Sequence, residues 1–277
     1  MSDDVPEGRT LPGAVPGATT GDTPGTGDPV HGRGLLLAQE IIEAYGGIAR
    51  WNRLGSLRAE IAFAGFGFRV KFVRHLPFRG TMVVERAGQR VTFEPYPVPG
   101  QRGVFEGSEV RIEAADGRVL SRRRQPRAAF RDFRHRLWWD SLDLLYFAGY
   151  TGWTYFCVPF VLIDPAYELE DAGTWQEGEH TWRKLKVTFP PHIHTHCRQQ
   201  VFYADNRGLI RRHDYTAEPF GESIRAAHYQ SDPREFGGLV VQTRRRVHPR
   251  KANGRPRPHP ILIWIDVADV VTTPDNH

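Results

Sequence analysis

Hydrophobic and polar residues alternate along most of the chain, and this pattern predicts a domain built mainly of β-strands. A period of two places successive side chains on opposite faces of a strand. Turn-forming residues separate the alternating segments, and their regular succession is typical of antiparallel meanders. The predicted strands cover residues 57–64, 66–74, 80–86, 90–94, 109–113, 117–123, 182–189, 197–204, 209–216, 225–231, 239–248 and 261–270.

Two segments show helical periodicity instead. Leu35 to Tyr45 carry apolar residues at helical spacing, and Gly46-Gly47 end this helix. Residues 126–165 interrupt the strands, and we expect two helices in this insertion, at about 126–136 and 140–157. The predicted fold is therefore mainly β (α+β): a curved antiparallel sheet of 11 or 12 strands with helices on its concave face.

The first 32 residues contain seven Gly and five Pro and have no apolar periodicity. Such a segment cannot bury enough apolar surface to offset the entropy of ordering it. We expect residues 1–32 to be a disordered tail and residues 33–277 to form a single domain.

The chain is basic, with a formal net charge of +5, and 33 of its 37 basic residues are arginine. Arginines cluster in residues 118–136 and 244–257, where they would suit an acidic carrier protein or an anionic surface. The more ordinary interpretation, which we favour, is that these clusters are solvated faces. Motifs for nucleic-acid binding, for nucleotide binding and for esterase chemistry are missing from the sequence, so neither nucleic acid nor a cofactor is expected.

The cellular location is predicted from the cysteines and from the first residues of the sequence. Cys157 and Cys197 are too few for a disulfide framework, and the sequence does not start with a basic segment followed by an apolar one. We therefore expect a cytoplasmic protein. The twenty uncharged residues Leu144–Ile163 are interpreted as a helix packed on the sheet, because a membrane span there would separate the two halves of the sheet.

Three alternating histidines, His192, His194 and His196, would share one face of an extended segment. Two of them could bind zinc with His213 or His228 as a third ligand. No Cys-x-x-Cys or His-Glu-x-x-His motif accompanies them, so we expect no metal site.

The candidate catalytic residues are His213, Tyr215 and His228, because a histidine and a tyrosine on one inward face can transfer a proton. A hairpin turn at 205–208 predicts that His213 lies opposite Val201 and shares a face with Tyr203 and Tyr215. The other face would then carry Arg212, Asp214, Arg198 and Gln200. The alternative is a hydrogen-bonded core histidine with an outward Arg212–Asp214 ion pair.

Nine aromatic rings lie within residues 138–160, which is more than one stripe of a helix can bury. They either complete the core or line a cavity. We expect the face formed by Tyr146, Tyr150 and Trp153 to look inward. The predicted ligand-binding residues are Trp139, Tyr146, Tyr150, Trp153 and Phe156.

The order of elements resembles a known architecture. A helix ending in Ala44-Tyr45-Gly46-Gly47, followed by Trp51 and Ser56-Leu57, opens the first meander, and Ile265-Asp266-Val267 ends the second. In this respect the chain is similar to uncharacterised bacterial proteins with the fold of the periplasmic lipoprotein-localisation carrier. The resemblance implies a half-open antiparallel barrel whose concave face is covered by helices and accepts acyl chains, and it implies no catalytic residue.

Two functions follow as expectations. The first is binding of a hydrophobic or acyl-like small molecule in an aromatic-lined cavity. The alternative is a cofactor-independent enzyme of the cyclase or isomerase type, in which His213, Tyr215 or His228 moves a proton. A structural module without a cavity is the third class.

Overall fold

An antiparallel sheet is the frame of the protein in the computed structural model, which describes residues 29–275. Within this part of the chain the sheet has thirteen strands. They are β1 (Leu54–Ala64), β2 (Phe78–Glu85), β3 (Arg90–Glu94), β4 (Gln101–Glu106), β5 (Glu109–Ala114), β6 (Val119–Arg124), β7 (Glu168–Glu177), β8 (His180–Thr188), β9 (Gln199–Ala204), β10 (Ile210–Thr216), β11 (Arg225–Phe236), β12 (Leu239–Pro249) and β13 (Ile263–Pro274).

The strand order shows two meanders joined at the middle of the sheet. It runs β6-β5-β4-β3-β2-β1-β13-β12-β11-β10-β9-β8-β7, so β1 pairs with β13, and β6 and β7 are open edges. The sheet is not closed, and it confirms the predicted half-barrel of the mainly β class.

The helices are α1 (Pro29–Ala44), α2 (Ile48–Trp51), α3 (Phe66–Arg69), α4 (Pro126–Ala129), α5 (Phe133–Leu137) and α6 (Ser141–Cys157), with short 3₁₀ helices at Phe160–Ile163 and Glu218–Phe220. Helix α6 packs against β2 to β5, and α1 packs against β7 and β8. Almost every residue of α6 is buried, so the helix packs against other parts of the protein on more than one of its faces.

Helix α1 begins at Pro29, within the segment predicted as a tail. Residues 1–28 lie outside the described residues, so the disorder of the tail stays a prediction.

Three elements differ from the sequence prediction. The predicted strand 66–74 begins instead with α3, because the backbone N–H groups of Phe66 and Gly67 donate to the carbonyl oxygens of Ile261 and Leu262, at 3.2 and 2.9 Å, and turn the chain away from the sheet. Strands β4 and β7 were not predicted. Strand β4 has a glycine, Gly103, at a buried position, and β7 is a polar edge strand.

Helix α6 starts at a capping box that also ties it to the sheet. The Asp140 carboxylate accepts hydrogen bonds from the backbone of Leu142 and Asp143, and Asp143 accepts one from the backbone of Asp140. Arg123 on β6 donates to both carboxylates, at 2.7 and 2.5 Å. Burial, together with the charge of Asp140, raises the pKa of Asp143 to about 7.

Glycines allow α6 to approach the sheet closely. A Cβ atom on Gly149 would meet the Phe105 side chain on β4 at less than 3 Å, and one on Gly152 would meet the sulfur atom of Met82 at 2.6 Å. The Phe105 contact involves the stiff Cβ and ring atoms, whereas the Met82 contact involves the flexible end of the side chain.

The substitution Gly149→Ala is therefore expected to lower the free energy of unfolding by about 1–3 kcal/mol, as overpacking of a filled core does. Gly152→Ala is the matched control and should cost less, because the Met82 side chain can rotate away. Urea unfolding of both variants is the measurement. Equal stability of Gly149→Ala and wild type would contradict the close approach at Phe105.

Candidate functional site

A narrow apolar cavity lies between α6 and the concave face of the sheet. We call it the inner cavity, and its volume is about 30 Å³, which is enough for one or two water molecules. Its polar side chains are Arg245, Tyr155 and Thr151. The lining residues are Ile61, Phe63, Phe68, Met82, Phe93, Phe147, Ala148, Thr151, Gly152, Tyr155, Phe156, Arg245, Ile263 and Ile265.

A second apolar cavity, the outer cavity, adjoins the first and has a volume of about 180 Å³. Phe147 and Ile263 line both cavities, so they form the partition between them. The outer cavity reaches the surface at Phe66, Val70 and Ile224, which are partly exposed. Its other lining residues are Gly67, Lys71, Tyr215, Ala217, Phe220, Ala226, Val247 and Leu262.

Two larger hollows, of about 330 and 900 Å³, are lined by more charged and polar groups. The smaller one includes Asp140 and Arg74, and the larger one includes Arg127, Arg198 and Glu218. Their linings suit a hydrophobic molecule less well than those of the inner and outer cavities.

The structure brings the three candidate catalytic residues together beside the inner cavity. The ring centroid of His213 lies 4.7 Å from that of Tyr215 and 5.8 Å from that of His228. The ring centroid of Tyr155, on α6, lies 4.7 Å from that of His228. His213 and His228 are completely buried, and Tyr215 nearly so. These residues project from the neighbouring strands β10 and β11, whose register pairs His213 with His228.

A fourth buried residue, His196, joins this cluster from the segment 189–198 between β8 and β9. Its Nδ1 is 3.1 Å from the Tyr150 hydroxyl and its Nε2 is 3.0 Å from the Tyr155 hydroxyl. His213 Nε2 is 2.5 Å from Gln200 Oε1. By contrast, both ring nitrogens of His228 lack a hydrogen-bond partner in the described structure.

Burial sets the protonation of this cluster. It lowers the pKa of His196, His213 and His228 well below the usual value. It also raises the pKa of Tyr155 to about 12 and that of Tyr215 well above its usual value. All five groups are therefore neutral near pH 7, and none has a pKa matched to proton transfer at that pH.

Arg245 is the buried cation of the site. It projects from β12 and is 3% exposed. One guanidinium nitrogen donates to the backbone carbonyl oxygen of Tyr155 at 2.9 Å, and the group lies 4.9 Å from the Tyr155 ring centroid. Its Nε has no partner in the described structure. Burial lowers the pKa of Arg245, but an arginine side chain remains charged in proteins.

The register of β9 and β10 differs by one residue from the prediction. An irregularity between Ile210 and Arg212 places His213 opposite Phe202 rather than Val201. Tyr203 therefore shares a face with Asp214 and not with His213, and its hydroxyl donates to the Asp214 carboxylate at 2.9 Å.

The same shift moves Gln200 to the face of His213. The ion pair of Arg212 and Asp214 does lie on the opposite face, but it is buried rather than exposed to solvent. The loop after β12 covers it, since Arg212 also donates to the carbonyl oxygen of Gly254.

The predicted ligand-binding residues are all buried but lie in different surroundings. Tyr146, Tyr150 and Trp153 do form one face of α6, and their polar ends bond to His194, His196 and the carbonyl oxygen of Gly88. Trp139 packs against Phe220, with 4.5 Å between the two ring centroids. Of the five predicted residues, only Phe156 lines the inner cavity, and contact of all five with a ligand stays a prediction.

Arg245, Tyr155 and Phe147 line the inner cavity but were not predicted as site residues. A signal for Arg245 existed: in a strand with three successive arginines, Arg244, Arg245 and Arg246, one must point to the opposite face from the other two.

Residues 29–275 contain neither a candidate metal site nor a helix that could span a membrane. No group of three or more His, Cys, Asp or Glu side chains there is arranged to hold a metal ion, and His194 and His196 are engaged by tyrosines. No helix in this part of the chain has the length and apolar character needed to cross a membrane. The absence of a bound metal in the protein stays a prediction.

Several arginines of the two basic clusters are paired with acids of the chain itself. The pairs are Arg123 with Asp140 and Asp143, Arg124 with Glu109, Arg127 with Glu218, Arg246 with Asp266, and Arg250 with Asp214. These pairs reduce the basic surface, and an acidic or anionic partner stays a prediction.

No protein-family model and no curated protein matches the chain. Solved structures do match. A DUF1329 family protein from Desulfovibrio piger is 15% identical, over 89% of this chain and 94% of that one, with a TM-score of 0.50. A LolA superfamily protein from Nitrosomonas europaea is 14% identical over 86% and 94%, with a TM-score of 0.48. A domain assigned to outer membrane lipoprotein sorting in Vibrio parahaemolyticus is 12% identical over 87% and 93%, with a TM-score of 0.46.

These matches confirm the lipoprotein-carrier-like fold that the sequence resemblance implied. The prediction of a cytoplasmic location is wrong by the same comparison, because the matching proteins include a domain assigned to outer membrane lipoprotein sorting. That prediction depended partly on the cysteines. Cys157 and Cys197 are free and buried, and buried structural thiols are inert, so they do not indicate a reducing compartment.

Proposed function

We propose that this protein binds a hydrophobic, acyl-like molecule in the inner and outer cavities of its concave face. The observation that carries the proposal is the pair of adjoining apolar cavities, which share Phe147 and Ile263 and reach the surface beside α3. Binding sites for small molecules are usually concave, largely apolar and supplied with a few polar groups. The site has that character.

Both cavities are smaller than the range of about 300–1,000 Å³ that is common for ligand sites. A bound chain therefore requires the partition to move. Rotation of the Phe147 side chain would join the two cavities, since that ring lines both. The proposed bound state has Phe147 displaced and α6 in place.

The close approach of His213, Tyr215 and His228 would suit the alternative function, acid–base catalysis. Their pKa values do not. A general acid or base works best when its pKa is near the operating pH. Burial moves the pKa values of these residues away from neutrality in both directions. We therefore prefer binding to proton transfer.

The test is a cavity-filling substitution. Ala226 lines the outer cavity, so Ala226→Leu places three further carbon atoms in empty space. We expect it to weaken binding of a fluorescent fatty-acid analogue by about tenfold, because about 1.4 kcal/mol of contact energy is lost. Fluorescence titration is the measurement.

Ala87→Leu, in an exposed turn, is the matched control and should bind as wild type does. Equal affinity of wild type and Ala226→Leu would show that the analogue binds elsewhere or that the cavities are only packing defects of the core.

A further inference from the structure

We propose that the ligand is a monocarboxylic acid with a linear apolar chain, and that its carboxylate binds Arg245. This inference rests on the proposed function, since it adds the chemical class of the molecule to the same site. The carboxylate would occupy the inner cavity, and the chain would pass Phe147 and Ile263 into the outer cavity.

The first reason is the uncompensated charge of Arg245. Burial lowers the pKa of Arg245, and the groups within residues 29–275 that act against this are the phenols of Tyr45, Tyr155 and Tyr215 rather than carboxylates. A charge taken out of water without a counter-ion costs several kcal/mol. A ligand that brings a negative charge would remove this cost on binding.

A comparison within the same sheet supports this reason. Arg212 is buried as completely as Arg245, but it forms two hydrogen bonds to Asp214 and one to Glu177. The chain thus supplies acids to a buried arginine on the convex side. On the concave side, the arginine that lines the inner cavity has no acidic partner among the described residues.

The second reason is the set of unused polar atoms beside Arg245. The Arg245 Nε and both ring nitrogens of His228 are buried and have no partner in the described structure. Orphaned buried polar atoms are rare in folded proteins and call for an unseen partner. His228 lies near Arg245 on the neighbouring strand, and the charge of Arg245 contributes to the lowered pKa of His228.

A carboxylate fits these donors better than other anions. It is planar and accepts two parallel hydrogen bonds from a guanidinium group, and it can accept a further bond from an imidazole N–H. Its single charge matches the single charge of Arg245. Its two oxygens would take the space of the one or two waters that the inner cavity can hold.

The experiment compares dodecanoate with dodecanol by equilibrium dialysis against the full chain. The two molecules have the same chain, and the alcohol avoids the desolvation of a charge. In an apolar cavity without a usable cation, the alcohol would therefore bind more tightly. We expect wild type to bind dodecanoate at least about tenfold more tightly than dodecanol.

Arg245→Met keeps an unbranched apolar stem and removes the guanidinium group with its charge. It should lose the preference for the acid while it still binds the alcohol. Arg244→Met, at the exposed neighbouring position of β12, is the control and should keep the preference. The wild-type comparison is valid even if Arg245→Met does not fold.

The outcomes separate the two proposals. If dodecanol binds as tightly as dodecanoate, or if Arg245→Met keeps the preference for the acid, the role of Arg245 is refuted and the hydrophobic site stands. If neither molecule binds wild type, both proposals fail.

Discussion

Replacing Arg212 with methionine is expected to lower the free energy of unfolding by about 3–5 kcal/mol, the usual cost of breaking a buried ion pair from one side. Arg212 is 0% exposed, and its Nε and one terminal nitrogen donate to the two Asp214 oxygens at 2.7 and 2.8 Å. The substitution leaves Asp214 as a buried carboxylate. Arg250, 3.4 Å away, cannot replace those two short hydrogen bonds.

The surroundings of Arg212 add to this cost. Its third partner is Glu177, at 2.8 Å, and the guanidinium is enclosed by aromatic rings whose contacts depend on its charge. Those rings belong to Trp175, Tyr203 and Tyr229.

Urea unfolding of Arg212→Met measures the effect. Arg244→Met, an exposed arginine of the same sheet, should change stability by less than about 0.5 kcal/mol. The double variant Arg212→Met with Asp214→Leu should recover part of the loss, because both buried charges are then removed. A single variant as stable as wild type would contradict the buried ion pair.

Acidification is expected to produce the second large effect. His196, His213 and His228 have folded-state pKa values well below the usual 6.5. Below that pH the unfolded chain takes up protons that the folded chain does not, so stability is fully present above about pH 6.5 and falls below it. Each histidine contributes about 1.4 kcal/mol per pH unit, so the three together give a slope of about 4 kcal/mol per pH unit.

Asp143 acts in the opposite direction. Its pKa is about 7 in the folded state, against 3.8 ordinarily. Between these two pH values the folded chain holds a proton that the unfolded chain does not, so acid stabilises the folded state through this group. One carboxyl offsets one histidine, so the net effect of acid remains a loss of stability.

Urea unfolding between about pH 7.5 and pH 5 measures the slope. His228→Phe should remove about one third of the histidine contribution, because it removes one of three such groups. His192→Gln, at an exposed position, is the control for the loss of a histidine from the surface. A stability that does not change across this range would show that these histidines are accessible to protons in the folded state.

The alternation of apolar and polar residues was enough to predict the sheet class and eleven of its thirteen strands. It failed where tertiary contacts decide the local structure. The segment from Phe66 alternates like a strand, yet its backbone is bonded to Ile261 and Leu262, far along the chain. Strand β4 was hidden because Gly103 leaves room for Leu145 of α6, which no local pattern reveals.

The site was predictable in its residue types and less so in its arrangement. His213, Tyr215 and His228 do meet, but an irregularity at Ile210 sets which neighbours they have, and such irregularities have no clear sequence signal. The aromatic helix was expected to turn Tyr150 towards a cavity. It turns Phe147, Tyr155 and Phe156 there instead, while Tyr146 and Tyr150 bond to His194 and His196.

The most direct test of the concave-face site is to locate a bound chain by nuclear magnetic resonance. The protein would carry labelled isoleucine methyl groups, and saturating dodecanoate or dodecanol would supply the ligand. Ile263 lines both cavities and Ile224 lines the outer cavity, whereas Ile41 and Ile42 lie in α1. The account predicts intermolecular nuclear Overhauser effects from the ligand chain to the first two residues and none to the other two. Effects confined to other isoleucines, or none at saturation, would contradict it.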